Sequence, residues 1–537
     1  MRKNMKKYIV NAILAVAALG AVSCTAKFVE MNTNQEQATT EDLSHDGNLM
    51  GSFVSQMIAN VLPSFQSGEN EYGSGAFQRI QSLGGNLFAN YEGASNSGFS
   101  QNNVYDLRSA GDAWAAAMFN DVYVRAMGPW VQLNAVRDTD PRSAALGDIL
   151  KVAAMHRVTD SYGPIPYTQL TGGSLTVEYD SQEDVYNAMF QELGDAIDVL
   201  TTYINEGGTT ILSRFDRVFY GDVTKWVQFA NTLRLRLALR VCYADNALYR
   251  REAAAAIANP VGFLTENASI HPGSGAWENP NWIVQYSFND GDSKAGATIL
   301  CYMVGYRDPR LSAYFTQGSD GQYHGVRVGA AVDSDYPKSA LWSRYNCTNS
   351  DPVLWMSGAE SYFLLAEHYL RQNNLTLAQS YYNDGIAHSF QLWGVSGASA
   401  YTATTSAPTA YTDPVNSQNS YSSALSSVSV AWNSQSTVER HLEQIITQKY
   451  IAMFPEGQEA WTEFRRTGYP KIIPTATNNS KGTIDTNTQI RRLIYPDAEK
   501  SANTANYTEG VDILNSEASS SFRNGDVGGT KLWWDKK

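Results

Sequence analysis

Glu367 and His368 stand side by side, the residue types that hold and use a metal-activated water. A zinc peptidase needs two imidazoles four apart on one helical face, with a carboxylate between them as general base. Here the order is reversed and no second His follows one turn on, so the pair is read as structural. The seven His are scattered singly, and no GxSxG, phosphate-cradling glycine loop or spaced Cys/His quartet occurs. Asn289-Asp290-Gly291-Asp292 has the opening of a calcium loop without its downstream ligands and reads as a turn. Carboxylates are plentiful, and a glycosidase pair among them would show only in their spatial separation. The expectation is a protein that is not an enzyme, with no catalytic residue, no metal and no cofactor.

The chemistry this chain has in quantity is that of flat rings. Aromatics make up 12% of the residues, with 31 Tyr and 12 Trp, while charged residues are only 17%. The C–H face of a pyranose is apolar and slightly positive, so it stacks on an indole or phenol face while rim amides and guanidinium groups bond its hydroxyls. Rings placed in irregular, Gly- and Asn-rich segments are the candidates, because rings on helices more often fill the core. Two such segments stand out, 67–103 and 259–348. From them come seven candidate ligand contacts: Tyr72, Tyr91, Trp277, Trp282, Tyr286, Trp342 and Tyr345. For each ring singly, packing is the competing role; contact with ligand is expected for at least two of the set.

Net charge is −13; without the four cations Arg2, Lys3, Lys6 and Lys7 the rest holds 36 Lys and Arg against 53 Asp and Glu, or −17. An acidic body disfavours nucleic acid and charge-driven adhesion to anionic lipid. The basic opening precedes an apolar run, Ile9 to Val22, too short to span a membrane. Residues 1–23 are therefore read as an export signal. Ala21-Val22-Ser23-Cys24 resembles the bacterial lipobox, with Ala21 where Leu is usual, and implies lipidation of Cys24. Acyl chains such as palmitate on that cysteine would anchor the protein without a spanning helix. Polar residues 24–45 form a tether, and 46–537 the folded part, with no linker that divides it. The other cysteines, Cys242, Cys301 and Cys347, offer no metal spacing; a disulfide between the last two is left open.

The elements that must position the rings are helices. The run from Asp222 to Tyr243 contains LRLRL, which alternates like a strand, yet Trp226, Phe229, Leu233, Leu237 and Val241 recur at spacings of three and four. Asp222 is placed to cap its first turn. Leu235 and Leu239 project from the other side, so the helix is packed between neighbours, and Arg234, Arg236 and Arg240 must reach water or find carboxylates. Further helices are expected at 49–62, 108–127, 143–159, 182–203, 249–258, 358–372, 375–391 and 438–453. Ser181 and Asp184 form a loose capping box before the fourth of these. Residues 394–437 read as a long loop, and the chain beyond 453 as a Gly/Pro-punctuated tail. The fold class is all-α, built of helical hairpins of tetratricopeptide size.

A set of motifs in fixed order resembles the SusD/RagB family of outer-membrane lipoproteins. MNTNQEQATTED stands for the family's NTNPN-x-AT segment, with Gln35 and Glu36 in place of Pro-Asn. Thr159-Asp160-Ser161-Tyr162-Gly163-Pro164-Ile165-Pro166-Tyr167 resembles its TDxYGdiPY, and Gly221 to Arg240 its scaffold helix. Asp308-Pro309-Arg310-Leu311, Gln448 to Phe454, Glu459 to Pro470, RRLIYPDAEKSANTANY and LWWDKK complete the match. The resemblance implies a single helical domain with four tetratricopeptide-like hairpins and a ligand face of irregular loops. It also implies a partner, a TonB-dependent SusC-like barrel over which the lipoprotein sits as a lid at the cell surface, delivering oligosaccharides or peptides. Trp226, Trp461, Trp533 and Trp534 belong to these motifs and are assigned to scaffold.

Overall fold

The computed structural model describes residues 47–63, 72–99, 101–108, 111, 113–170, 176–272, 278–288, 291–518 and 525–537. The export signal, Cys24 and the tether lie outside the described residues. The chain divides into two units, residues 1–52 and 53–537, and helix α1 (Asn48–Val61) spans the division.

The first Gly-rich stretch corrects the sequence reading. α2 (Tyr72–Phe77) runs into a π-helical turn over residues 78–86, and β1 (Glu92–Ala94) follows. Phe77, Phe88 and Tyr91 are buried here. The glycines serve close packing: a Cβ on Gly85 would lie 2.7 Å from the backbone nitrogen of Gln458. What reads as an exposed loop is a surface cut low enough for another helix to lie on it.

The helix expected at 108–127 comes later, as a π-turn at 119–123 and α3 (Val124–Asn134). α4 (Pro141–Tyr162) starts at Asp140, whose carboxylate accepts from Ser143 N at 3.2 Å. α5 (Gln182–Asn205) is capped by Ser181, which accepts from Asp184 N at 3.0 Å. α6 (Val223–Val241) is capped by Asp222, accepting from Lys225 N at 3.1 Å, as its spacing demands. α7 (Asn246–Ala258) follows a short turn. Consecutive members of this series pack on one another, and α6 touches α4, α5 and α7.

The described residues between 259 and 348 are irregular as expected, with β2 (Ala268–Ile270), α8 (Pro280–Trp282), β3 (Ser293–Ala295), α9 (Ala297–Tyr306) and α10 (Leu311–Tyr314). β3 pairs antiparallel with β1, and β2 with β4 (Val353–Met356). α11 (Glu360–Arg371) and α12 (Leu375–Leu392) form the expected hairpin. Residues 394–437 hold only α13 (Ala398–Tyr401) and a 3-10 turn at 417–419, yet Val428 and Val430 are fully buried. After α14 (Val438–Ala452) come three helices where a tail was expected: α15 (Gly457–Thr467), α16 (Asp497–Ala502) and α17 (Thr504–Glu517). Trp226, Trp461, Trp533 and Trp534 are all buried, consistent with scaffold. Cys242, Cys301 and Cys347 are free thiols.

The arginines of α6 find carboxylates. Arg234 pairs with Glu252 of α7 at 2.6 Å. Arg236 pairs with Glu360 of α11 at 2.5 Å and lies 3.2 Å from Glu456. Arg240 bonds Asp160 of α4 and, at 2.5 Å, Glu459 of α15. Arg466 of α15 holds Glu367 of α11 at 2.7 Å, and Lys449 of α14 lies 3.1 Å from Glu360. Five helices are thus tied to α6 or to one another by charges withdrawn from water. Removing one partner from such a pair costs about 3–5 kcal/mol, because the other charge stays buried and unmatched. Glu367, half of the pseudo-zincin pair, is fully engaged here, and His368 Nδ1 lies 3.0 Å from the Tyr249 hydroxyl.

Candidate ligand-binding site

Asn279 fixes the start of the site. Its side-chain oxygen accepts from Asn281 N at 2.8 Å and caps α8, while its amide donates to the carbonyls of Asp351 and Pro352 at 3.1 and 3.3 Å. Pro280 supplies a helical φ at the first position, where no amide is needed. α8 ends at Trp282 and widens into a π-turn over residues 283–287, which carries Tyr286. Their rings lie 6.3 Å apart, within 20° of parallel, and both are half-buried.

A second segment locks this pair. The Tyr286 hydroxyl donates to the Tyr345 carbonyl at 2.6 Å. Arg344 donates to the Gln285 carbonyl at 3.1 Å, and its guanidinium carbon lies 5.3 Å from the Tyr286 ring centre. Gln285 in turn accepts from Tyr345 N at 3.3 Å and donates to Ser293 at 3.0 Å. Burial, reinforced by Cys347 and opposed by Arg344, pushes the Tyr286 phenol up to about 12, so it remains a neutral donor. Tyr345 is half-buried, its ring edge-on to Phe454 at 5.0 Å. Ring planes held by backbone-directed bonds lose little freedom when a ligand arrives.

Of the seven candidates, the structure brings together Trp282, Tyr286 and Tyr345. Tyr91 is corrected to core: it has no exposure, its hydroxyl donates to the Tyr450 carbonyl, and Tyr450 and Phe454 take its faces. Trp342 is corrected likewise, buried against Tyr336 at 4.7 Å with its indole N–H on the Tyr336 carbonyl. Trp277 lies outside the described residues; Tyr72 opens α2, and its side chain is outside the description too. Asn289 and Asp290 are also outside, while Asp292 is buried and accepts from Gln78 at 2.7 Å. Two residues escaped the sequence reading. Arg344 lies over the Tyr286 ring, 5.3 Å from its centre, and a lone Arg in an irregular segment carries no sequence signal. Tyr220 is 59% exposed at a left-handed φ of +54°, its ring 5.5 Å from His271. Its signal was position, directly before the Gly221-Asp222 cap.

The arrangement offers apolar ring faces beside a cation and amide groups. No group of three or more His, Cys, Asp or Glu able to hold a metal occurs among the described residues. Nor is any helix among them long and apolar enough to cross a membrane.

A family model described as "SusD-like: Susd and RagB outer membrane lipoprotein" matches residues 30–535. A SusD homolog from Bacteroides thetaiotaomicron is 35% identical over 91% of this chain and 99% of its own, with a TM-score of 0.81. A SusD homolog from Bacteroides uniformis is 34% identical over 91% and 99%, with a TM-score of 0.82. A chitin-binding SusD homolog from Flavobacterium johnsoniae is 34% identical over 90% and 98%, also at 0.82. No curated protein matches the chain.

Proposed function

The chain belongs to the SusD-like family of outer membrane lipoproteins, and from that premise we propose that it captures oligosaccharides at the cell surface for a TonB-dependent, SusC-like transporter. It binds and releases; it breaks no bond. The observation that carries this reading is the Trp282–Tyr286 pair, two near-parallel half-buried rings, with the Arg344 guanidinium over the Tyr286 ring. Sugar rings offer that surface an apolar C–H face, and their hydroxyls find the guanidinium and amide groups beside it. The chitin-binding relative supports a glycan as the ligand class. Cys24 is the proposed lipid anchor. Trp277, three positions before the first residue of α8, is proposed to extend the platform.

Substituting Trp282→Ala or Tyr286→Ala tests the site. Each ring removed is expected to weaken oligosaccharide affinity about tenfold, roughly 1.4 kcal/mol, in isothermal titration, with the melting temperature little changed for Trp282→Ala. Affinity unchanged in both variants removes the pair from the site. Oligopeptide capture by the same lid is the second reading; Arg344, a cation beside the rings, would meet a peptide carboxylate.

A further inference from the structure

The last turn of α15, the loop 468–472, residues 487–491 and the segment 531–537 enclose a cavity of about 340 Å³ that shares no lining residue with the ring pair. Its lining includes five cations, Arg465, Lys471, Arg491, Lys531 and Lys537, and one carboxylate, Glu439. Several of these charges are already met. Asp535 holds Arg491 at 2.5 and 2.8 Å, and Glu439 holds Lys537 at 2.5 Å. Lys531 donates to the Lys537 carbonyl at 2.7 Å and lies 3.8 Å from Asp535. Even with the carboxyl group of Lys537 counted as an anion, two lining cations are left without a direct ion pair among the described residues.

The first is Arg465, which is buried and bonds only to neutral oxygens: the carbonyls of Asp160, Arg491 and Trp461, and the Thr462 hydroxyl. The Asp160 and Asp535 carboxylates offset part of its charge at longer range, and what remains reaches the cavity through a medium that screens it poorly. The second is Lys471, exposed at the mouth, with its ammonium 4.6 Å from the Tyr469 ring centre. Glu439 acts on it only at longer range, and no carboxylate among the described residues makes a direct ion pair with it. Phe464, Tyr469 and Ile472 give the cavity an apolar wall. The carbonyl end of α15 faces this region too, but its partial charge is small beside two whole cations. In a chain of net charge −13, a recess with positive charge to spare runs against the background field.

We propose that this cavity is a second binding site, for a single sugar ring bearing a carboxylate or sulfate. Its volume is at the small end of ligand sites, enough for one ring and its anionic group. The oxyanion would meet Lys471, with the charge of Arg465 behind it, and the ring would lie along Tyr469. The sugar identity rests on the glycan-capture reading; the anion preference rests on the cavity alone.

The test uses the full chain with Cys24→Ala, titrated with galacturonate, glucose 6-sulfate and glucose, and separately with neutral oligosaccharides. Saturable binding of the two anions is expected, with glucose at least tenfold weaker and with Kd rising several-fold between 50 and 300 mM NaCl. Lys471→Glu should weaken the anions at least tenfold, and Lys471→Gln, milder at this exposed position, several-fold; neither should alter neutral oligosaccharide binding. No saturable binding of either anion, glucose bound as well as the anions, or affinity unchanged in both variants would each overturn the site. Loss of neutral binding in the unsubstituted chain would instead count against the glycan reading.

Discussion

Glu456 is a carboxyl group that holds its proton more tightly in the fold than in water. Burial, opposed by Arg236 and reinforced by Glu360, pushes it up to about 8 from an ordinary 4.5. Between those two values the native state keeps a proton that the unfolded chain has released, so this group's contribution to stability falls as pH rises through the window. Glu456→Gln carries the neutral form permanently. Relative to the unsubstituted chain it should gain stability from pH 5 to pH 9, by on the order of a few kcal/mol. Urea unfolding across that range checks this, and parallel profiles for the two proteins would contradict it. The sequence showed that Arg236 and Arg240 needed carboxylates, because both sit on a helix with two apolar faces. It did not show which carboxylates, since Asp160, Glu360, Glu456 and Glu459 are brought to α6 only by tertiary packing. The same limit explains the rings: Tyr91 and Tyr286 both come from segments that read as irregular, and packing against Tyr450 of α14 and Phe454 buries the first.

At the scale of elements, amphipathic period and capping residues located α5, α6, α11, α12 and α14 to within a few residues. The failures share a cause. Residues 78–86 and 457–467 carry glycines and few regularly spaced apolar residues, so each looks like loop alone and becomes helical against the other. Their contact depends on a missing side chain: a Cβ on Gly457 would lie 2.4 Å from Asn86 Cα, and Gly457 N donates to the Asn86 side chain at 3.0 Å. The Asn86 amide in turn donates to buried Glu92 at 2.8 Å. Gly457→Ala should therefore lower unfolding free energy by about 1–3 kcal/mol, the usual cost of overpacking. Denaturant unfolding measures this; a variant as stable as its parent would mean that the two elements part more easily than their spacing implies.

For the whole molecule, the order of the motifs from Asp160 to Trp534 is enough to name the family, and Asp160, Glu459 and Arg466 within those motifs belong to the buried charge network. The ligand was not legible in the same way, since neutral rings serve core and binding face alike. The account stands on the claim that an acidic, aromatic-rich helical frame presents rings to neutral sugars. The measurement that tests it most directly is isothermal titration of the Cys24→Ala chain against a panel of neutral oligosaccharides, N-acetylated ones included, and uncharged oligopeptides. Saturable heat with at least one oligosaccharide and none with the peptides is the expected result; peptide binding with no response to any glycan would contradict it.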